Sequence, residues 1–162
     1  MWIEKRRFPS PNKEVRLFSV TYLSQGLKVK GLLAEPAAPG NYDGFLYLRG
    51  GIKNVGMVRP GRIVQFASQG FVVLAPFYRG KQGGEGDEDF AGNDREDAFA
   101  AFRLLQKHEL VKDGRVHIFG FSRGGIMGIL TAIEMKAAAA SFVSWGGVSD
   151  MVMTYRERKD LR

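Results

Sequence analysis

The sequence predicts an α/β fold: a doubly wound, mostly parallel sheet with helices on both faces, entered through an antiparallel N-terminal ribbon. Three observations predict it. Short apolar runs recur at Phe45 to Leu48, Phe71 to Phe77, Arg115 to Phe119 and Ala137 to Trp145, as strands buried on both faces require. Windows of helical periodicity separate them, which is the pattern of parallel strands joined by crossover helices. The chain has 162 residues, 44% apolar and 25% charged, enough for one globular domain with its own core. We read residues 1–162 as a single domain and find no internal repeat, linker or low-complexity tract.

Each element has its own signal. Lys13 to Tyr22 alternates, with Val15, Leu17 and Val20 among polar residues, and reads as a half-exposed strand. Ser24-Gln25-Gly26 is a turn, and Lys28 to Glu35 returns as a second strand. The run Phe45 to Leu48 follows a Pro/Gly loop. Ile63, Val64, Phe66 and Ala67 then take helical spacing, closed by Gly70. After the strand Phe71 to Phe77 comes a Gly- and acid-rich loop, Arg79 to Asn93. Asp94 to Lys107 is an amphipathic helix with Ala98, Phe102 and Leu105 on one face and Asn93 or Asp94 as cap. Arg123 to Met135 is a third helix, with Ile126, Ile129, Leu130 and Ile133 as its apolar face. The predicted order is β-β-β-α-β-α-β-α-β.

Composition excludes several functions. Cysteine is absent, which removes disulfides and thiolate metal sites and fits a reducing compartment. No apolar stretch is long enough to span a bilayer, and Met1 to Arg7 lacks an apolar signal region; the expected location is cytoplasmic. The net charge of +7 is spread over both ends of the chain rather than along one helix face with interleaved aromatics, so no nucleic-acid partner is expected. Asp87-Glu88-Asp89-Phe90-Ala91-Gly92 starts like a calcium loop, but Ala91 and Ala98 stand where oxygen ligands belong. No phosphate loop or dinucleotide fingerprint fits either, and neither a cofactor nor a metal is expected.

The motif that carries chemistry is Gly120-Phe121-Ser122-Arg123-Gly124-Gly125. It matches G-x-S-x-G, follows a strand directly and opens a helix directly, the context a nucleophile elbow requires. Ser122 is the candidate nucleophile. The backbone N–H of Arg123, at a helix N-terminus, is a candidate oxyanion donor. A second Gly-rich loop, Leu48-Arg49-Gly50-Gly51-Ile52, follows an earlier central strand, and Gly51 or Ile52 is the other candidate donor.

With these motifs in place, the chain resembles the α/β-hydrolases of the prolyl oligopeptidase (S9) type and its bacterial esterase-like relatives. The matching stretches are LYLRGG, APFYRGKQGGEGDEDFAGNDREDAFAAFRLL, GRVHIFGFSRGG and GGVSD, over about residues 28 to 155. The resemblance implies a serine hydrolase that cleaves a small ester or peptide substrate through an acyl-enzyme. Arg49 stands where such relatives usually carry His; a cation there would favour an anionic substrate group. Arg49 and Tyr78 are the residues expected on the substrate side. Peptidases of this family usually carry an N-terminal propeller, and only about forty residues precede the sheet here, which favours a small esterase or acylpeptide-type enzyme.

A serine nucleophile needs a base and an acid to orient it, which in this fold follow the serine. The only histidines, His108 and His117, precede it. His108 is expected at the bottom of the sheet, against a helix C-terminus. His117 lies five strand residues before Ser122, roughly 16 Å away. Asp150 is a weak candidate acid, and a loop or cap role is preferred for it. The expectation is a C-terminally truncated hydrolase that is inactive alone, with a bare edge on its last strand open to self-association. The alternative is a non-catalytic fragment or pseudoenzyme.

Overall fold

The structure, a computed structural model, describes residues 1–52 and 54–159. Seven strands form one mixed sheet in the order β1-β2-β3-β5-β4-β6-β7. They are β1 (Trp2–Phe8), β2 (Val15–Ser24), β3 (Leu27–Pro36), β4 (Tyr42–Leu48), β5 (Phe71–Pro76), β6 (Val111–Phe121) and β7 (Ala139–Trp145). The helices are α1 (Pro60–Ala67), α2 (Arg95–Gln106), α3 (Arg123–Met135) and α4 (Met151–Glu157). Strands β5, β4, β6 and β7 pair in parallel, and β1, β2 and β3 form the antiparallel entry. The predicted class holds, with a three-stranded ribbon rather than two.

Period-two alternation divides the sheet residues between two cores. Leu46, Leu48, Val72 and Leu74 face α2 and α3, with Phe102 and Leu105 packed on them. Their neighbours Val73 and Ala75, with Phe45 and Tyr47, face α1, where Ile63, Val64 and Ala67 are buried. A strand covered on both faces must be apolar at every position, which is why FVVLAP reads as one apolar run. The β2–β3 hairpin closes on Gln25 and Gly26, both with positive φ (49° and 82°), the twist that two-residue hairpins favour.

Three expectations need correction. β1 is a strand although its sequence, WIEKRRF, shows no apolar run: one edge and much of its face are in water, so charge is tolerated there. α4 is a further element the periodicity did not reveal; none of its residues is buried. The inward face of α3 is Gly124, Met127, Gly128, Thr131 and Met135, and Ile133 is exposed. Small residues win that face because the helix lies close on the sheet: a Cβ on Gly128 would sit 2.3 Å from the Phe142 ring.

Candidate active site

β6 ends at Phe121, α3 begins at Arg123, and Ser122 between them has φ 54° and ψ −119°. That backbone costs a non-glycine residue of order 1–3 kcal/mol and persists only where the surroundings impose it. Here they do. The Ser122 N–H donates to the Trp145 carbonyl (3.2 Å), and its own carbonyl accepts from Gly125 (2.8 Å) and Val148 (2.9 Å). The serine therefore stands at the C-terminal end of the sheet, locked to the loop after β7. Its side chain makes no capping bond to α3.

The flanking glycines are there for space. A Cβ on Gly120 would lie 2.1 Å from the Gly124 carbonyl, and one on Gly124 would lie 2.1 Å from that of Leu48. Any side chain would prise the helix from the strands. Gly50 lies directly over the serine: a Cβ on it would be 2.8 Å from the Ser122 Cβ. The Gly50–Gly51 loop and the start of α3 thus converge on Ser122. Gly51 takes φ 72°, and Ile52 follows at the rim, accepting from the Val55 N–H. A groove of about 330 Å³ opens beside the loop, lined by Tyr47, Gly50, Gly56, Arg59, Arg62, Phe119, Phe121 and Trp145.

Beneath the elbow lies a buried charge cluster the sequence reading missed. Arg49 is 1% and Arg123 0% exposed. Both guanidiniums donate to one oxygen of Glu88, at 3.0 and 2.6 Å, and Lys81 pairs with the other oxygen. Arg123 also pairs with Asp94, and reaches back to the Gly51 carbonyl at 3.1 Å. Arg49 donates to the carbonyls of Gly50 and Phe77. The two guanidiniums flank the Tyr78 ring at 5.0 and 4.9 Å. Beside them Arg79 pairs with Asp97 at 2.9 Å. The acidic loop folds under the Gly50–Gly51 loop and the Ser122 turn and neutralises the arginines that hold them.

This placement corrects the substrate-side expectation for Arg49 and Tyr78. Both are buried, and each is occupied within the protein: Arg49 by Glu88 and backbone carbonyls, Tyr78 by a hydroxyl bond to the Arg49 carbonyl (3.3 Å). Neither presents a group to a ligand. Asp94 occupies the α2 cap position but makes no capping bond. Its carboxylate instead accepts from the Asp89 and Ala91 N–H groups and from Arg123. Burial pushes its pKa above the ordinary aspartate value despite Arg123. Burial also acts on Glu88, but hydrogen bonds from Lys81 and Arg123 outweigh it and hold that carboxyl low.

Both histidines are engaged at the opposite end of the sheet. His108 is buried, with Nε2 3.1 Å from Glu35 and Nδ1 accepting the Leu110 N–H. It serves Glu35 rather than the end of α2. Glu35 also binds Lys5 and Arg16. His117 sits between Ser141 (2.7 Å) and Asp43 (3.1 Å). The residue types are those of a triad, but Ser141 lies inside strand β7 and not on a strand-to-helix turn. Asp150 caps α4, its side chain accepting the Met153 N–H at 2.8 Å. Among the described residues no group of three or more His, Cys, Asp or Glu side chains could hold a metal ion, and no helix is long and apolar enough to cross a membrane.

The sequence profile of the Prolyl oligopeptidase family matches residues 58–161. A Bacillus subtilis (strain 168) peptidase, YtmA, is 79% identical over all 162 residues, which make up 63% of its length. The chain thus spans less than two thirds of that relative. Acetyl xylan esterase 1 from Thermoanaerobacterium sp. JW/SL YS485 superposes with a TM-score of 0.75 at 14% identity, over 95% of this chain and 55% of the other. Prolyl oligopeptidase B from Galerina marginata gives 0.66 at 22% identity, over 88% and 22%. At such identities the structures speak to the fold alone.

Proposed function

The chain belongs to the prolyl oligopeptidase family, an α/β-hydrolase family, and from that premise we propose that it is the nucleophile-bearing part of a serine hydrolase. The observation that carries the reading is the backbone of Ser122, held at positive φ between a strand and a helix with Gly50 against its side chain. A serine built for packing alone would not need that strain.

In this reading the Ser122 hydroxyl attacks the carbonyl carbon of an ester or peptide and loses its proton to a base. The oxyanion of the tetrahedral intermediate takes hydrogen bonds from the N–H of Arg123 and that of Gly51 or Ile52. Collapse expels the alcohol or amine and leaves an acyl-enzyme, which water then hydrolyses. The Arg123 guanidinium, bonded to the Gly51 carbonyl, ties the two donor segments together. The base and acid come from residues outside this sequence, because His108 and His117 are committed elsewhere. An ester is as compatible as a peptide: the fold is shared with an acetyl xylan esterase and with a prolyl oligopeptidase.

A second reading, a non-catalytic hydrolase-like chain, is favoured by that same commitment of both histidines. Burst kinetics with p-nitrophenyl acetate separate the two. The first reading expects an acyl group on Ser122 by peptide mapping when the relative's remaining residues are supplied, and none in Ser122→Ala. Acylation that ignores the substitution would remove Ser122 from the mechanism, and no acylation at all would leave the second reading.

A further inference from the structure

Alternation gives the N-terminal ribbon two faces, and one of them changes character along its length. On the α1 side, Val15 and Leu17 of β2 and Leu32 and Ala34 of β3 are buried in the core that α1 shares. Nearer the Gln25–Gly26 turn the same face carries Ser19, Thr21 and Lys30 instead. The register sets Thr21 directly between Glu4 and Lys30. Residues before α1 and after β5 join this polar stretch in lining a groove of about 330 Å³. Leu32, Met57, Val58 and Phe77 form its apolar wall. That volume is at the lower end of the range for small-molecule sites, and an apolar wall with a few polar groups is their usual lining.

Two of its polar groups have no partner within the protein. Thr21 is 5% exposed, and among the described residues its hydroxyl makes no hydrogen bond. A hydroxyl so enclosed is normally bonded. Lys30 is partly buried and makes no ion pair among the described residues, although lysine is seldom enclosed without one. Glu4 does not serve it. That residue stands two strands away, about 10 Å at the ordinary strand spacing, and is already paired with Arg6. Thr21 and Lys30 are directly opposite each other, which puts their Cβ atoms about 5 Å apart. One carboxylate can bridge the ammonium and the hydroxyl.

We propose that this groove is a binding site for a small apolar monocarboxylate. The carboxylate accepts from the Lys30 ammonium and the Thr21 hydroxyl, with the Gln82 amide as a further donor at the rim. The hydrocarbon body lies against Leu32, Met57, Val58 and Phe77. One cation facing one carboxylate balances the charge. A phosphate dianion brings a second charge, which Glu4 on the far side of Thr21 repels. A neutral ligand leaves Lys30 without a counter-ion. A free acid and the C-terminus of an apolar peptide share this chemistry. Strand β3 lies three strands from β6, about 14 Å at the ordinary spacing, so the groove is separate from the elbow. The inference is independent of the role of Ser122.

The test titrates phenylbutyrate into the chain joined by the relative's remaining residues and follows amide and methyl chemical shifts. Expected is saturable binding in the millimolar range or tighter, with shifts at Thr21, Lys30, Leu32, Met57 and Val58 and none at Ser122. Phenylbutanol should bind at least about tenfold more weakly, the scale of a lost charge-assisted hydrogen bond, and phenylbutyl phosphate should also bind more weakly. Lys30→Met should weaken phenylbutyrate by about the same factor and leave phenylbutanol unchanged; Lys30→Gln serves if the first variant misfolds. Thr21→Val should weaken the acid about fivefold. N-acetylphenylalanine represents a peptide end: binding tighter than phenylbutyrate assigns the groove to peptides, and weaker binding assigns it to free acids. No binding, an alcohol or phosphate that binds as well as the acid, or indifference to both Lys30 variants overturns the proposal. So do shifts centred on Phe119 and Trp145, which would place the ligand in the other groove.

Discussion

Two clusters of buried charge sit at opposite ends of the parallel strands, and they differ in what surrounds them. At the elbow end, Arg49 and Arg123 are sealed from water around Glu88 and Asp94. At the other end Glu35 and His108 are buried, but Lys5 and Arg16 keep about a third of their side-chain surface in water. The lower cluster can lose a partner and rehydrate. At the upper one the two guanidiniums cannot, because they are sealed and only Lys81 reaches water. The difference teaches that charge under the elbow serves geometry: it fixes the loop that carries Gly50 and Gly51 to the helix that carries Ser122.

The comparison can be broken most forcefully at Glu88. Glu88→Ala leaves two sealed guanidiniums short of an acceptor and should cost about 3–5 kcal/mol, the range for breaking a buried pair; urea unfolding measures it. Glu35→Ala should cost less, about 1–3 kcal/mol, because only His108 is left buried without its partner. Equal losses at the two sites would show that solvent access does not distinguish the clusters.

Acid sharpens the contrast. Burial raises the Glu35 pKa, but hydrogen bonds from His108 and Lys5 outweigh it and leave the carboxyl below its ordinary value. A depressed carboxyl stabilises fully above its unfolded value of about 4.5 and loses that stability as pH falls through its folded value. Glu88 behaves likewise. Asp94, whose pKa is raised, works the other way: its folded form holds the proton more tightly, so its contribution grows as pH falls toward about 4. Acidification is therefore unopposed at Glu35 and partly offset at the elbow. Amide exchange between about pH 5 and pH 3 should accelerate at Ala34 and Leu110 before Ala91 and Arg123. The smallest effect is expected where neither cluster is involved: Asp150→Ala removes one exposed cap and should cost about 1 kcal/mol, read by thermal melting.

The parts of this molecule legible in its sequence are those where one local rule decides. FVVLAP could only be a strand buried on both faces. Gly-Phe-Ser-Arg-Gly-Gly between VHIF and a helical window could only be a turn that lifts a serine. The rest depended on long-range pairing. β1 is held by its ladder to β2, so its charged residues carry no strand signal of their own. The inward face of α3 was misread because close approach to Phe142 selects glycine, while Ile133 faces out. Arg49 was read as facing substrate because nothing local ties it to Glu88, thirty-nine positions away. The signal was present only as a count: an acid-rich loop of the right charge to neutralise arginines placed at strand ends.

The central claim, that Ser122 is the built nucleophile and both histidines are out of reach, meets its most direct test in fluorophosphonate labelling followed by intact mass and peptide mapping. The chain joined by the relative's remaining residues should gain one adduct, on Ser122, and Ser122→Ala should gain none. The chain alone should label at least about a hundredfold more slowly, the lower bound of what a general base contributes. Equal labelling of the wild type and Ser122→Ala, or an adduct on Ser141 beside His117, would contradict it.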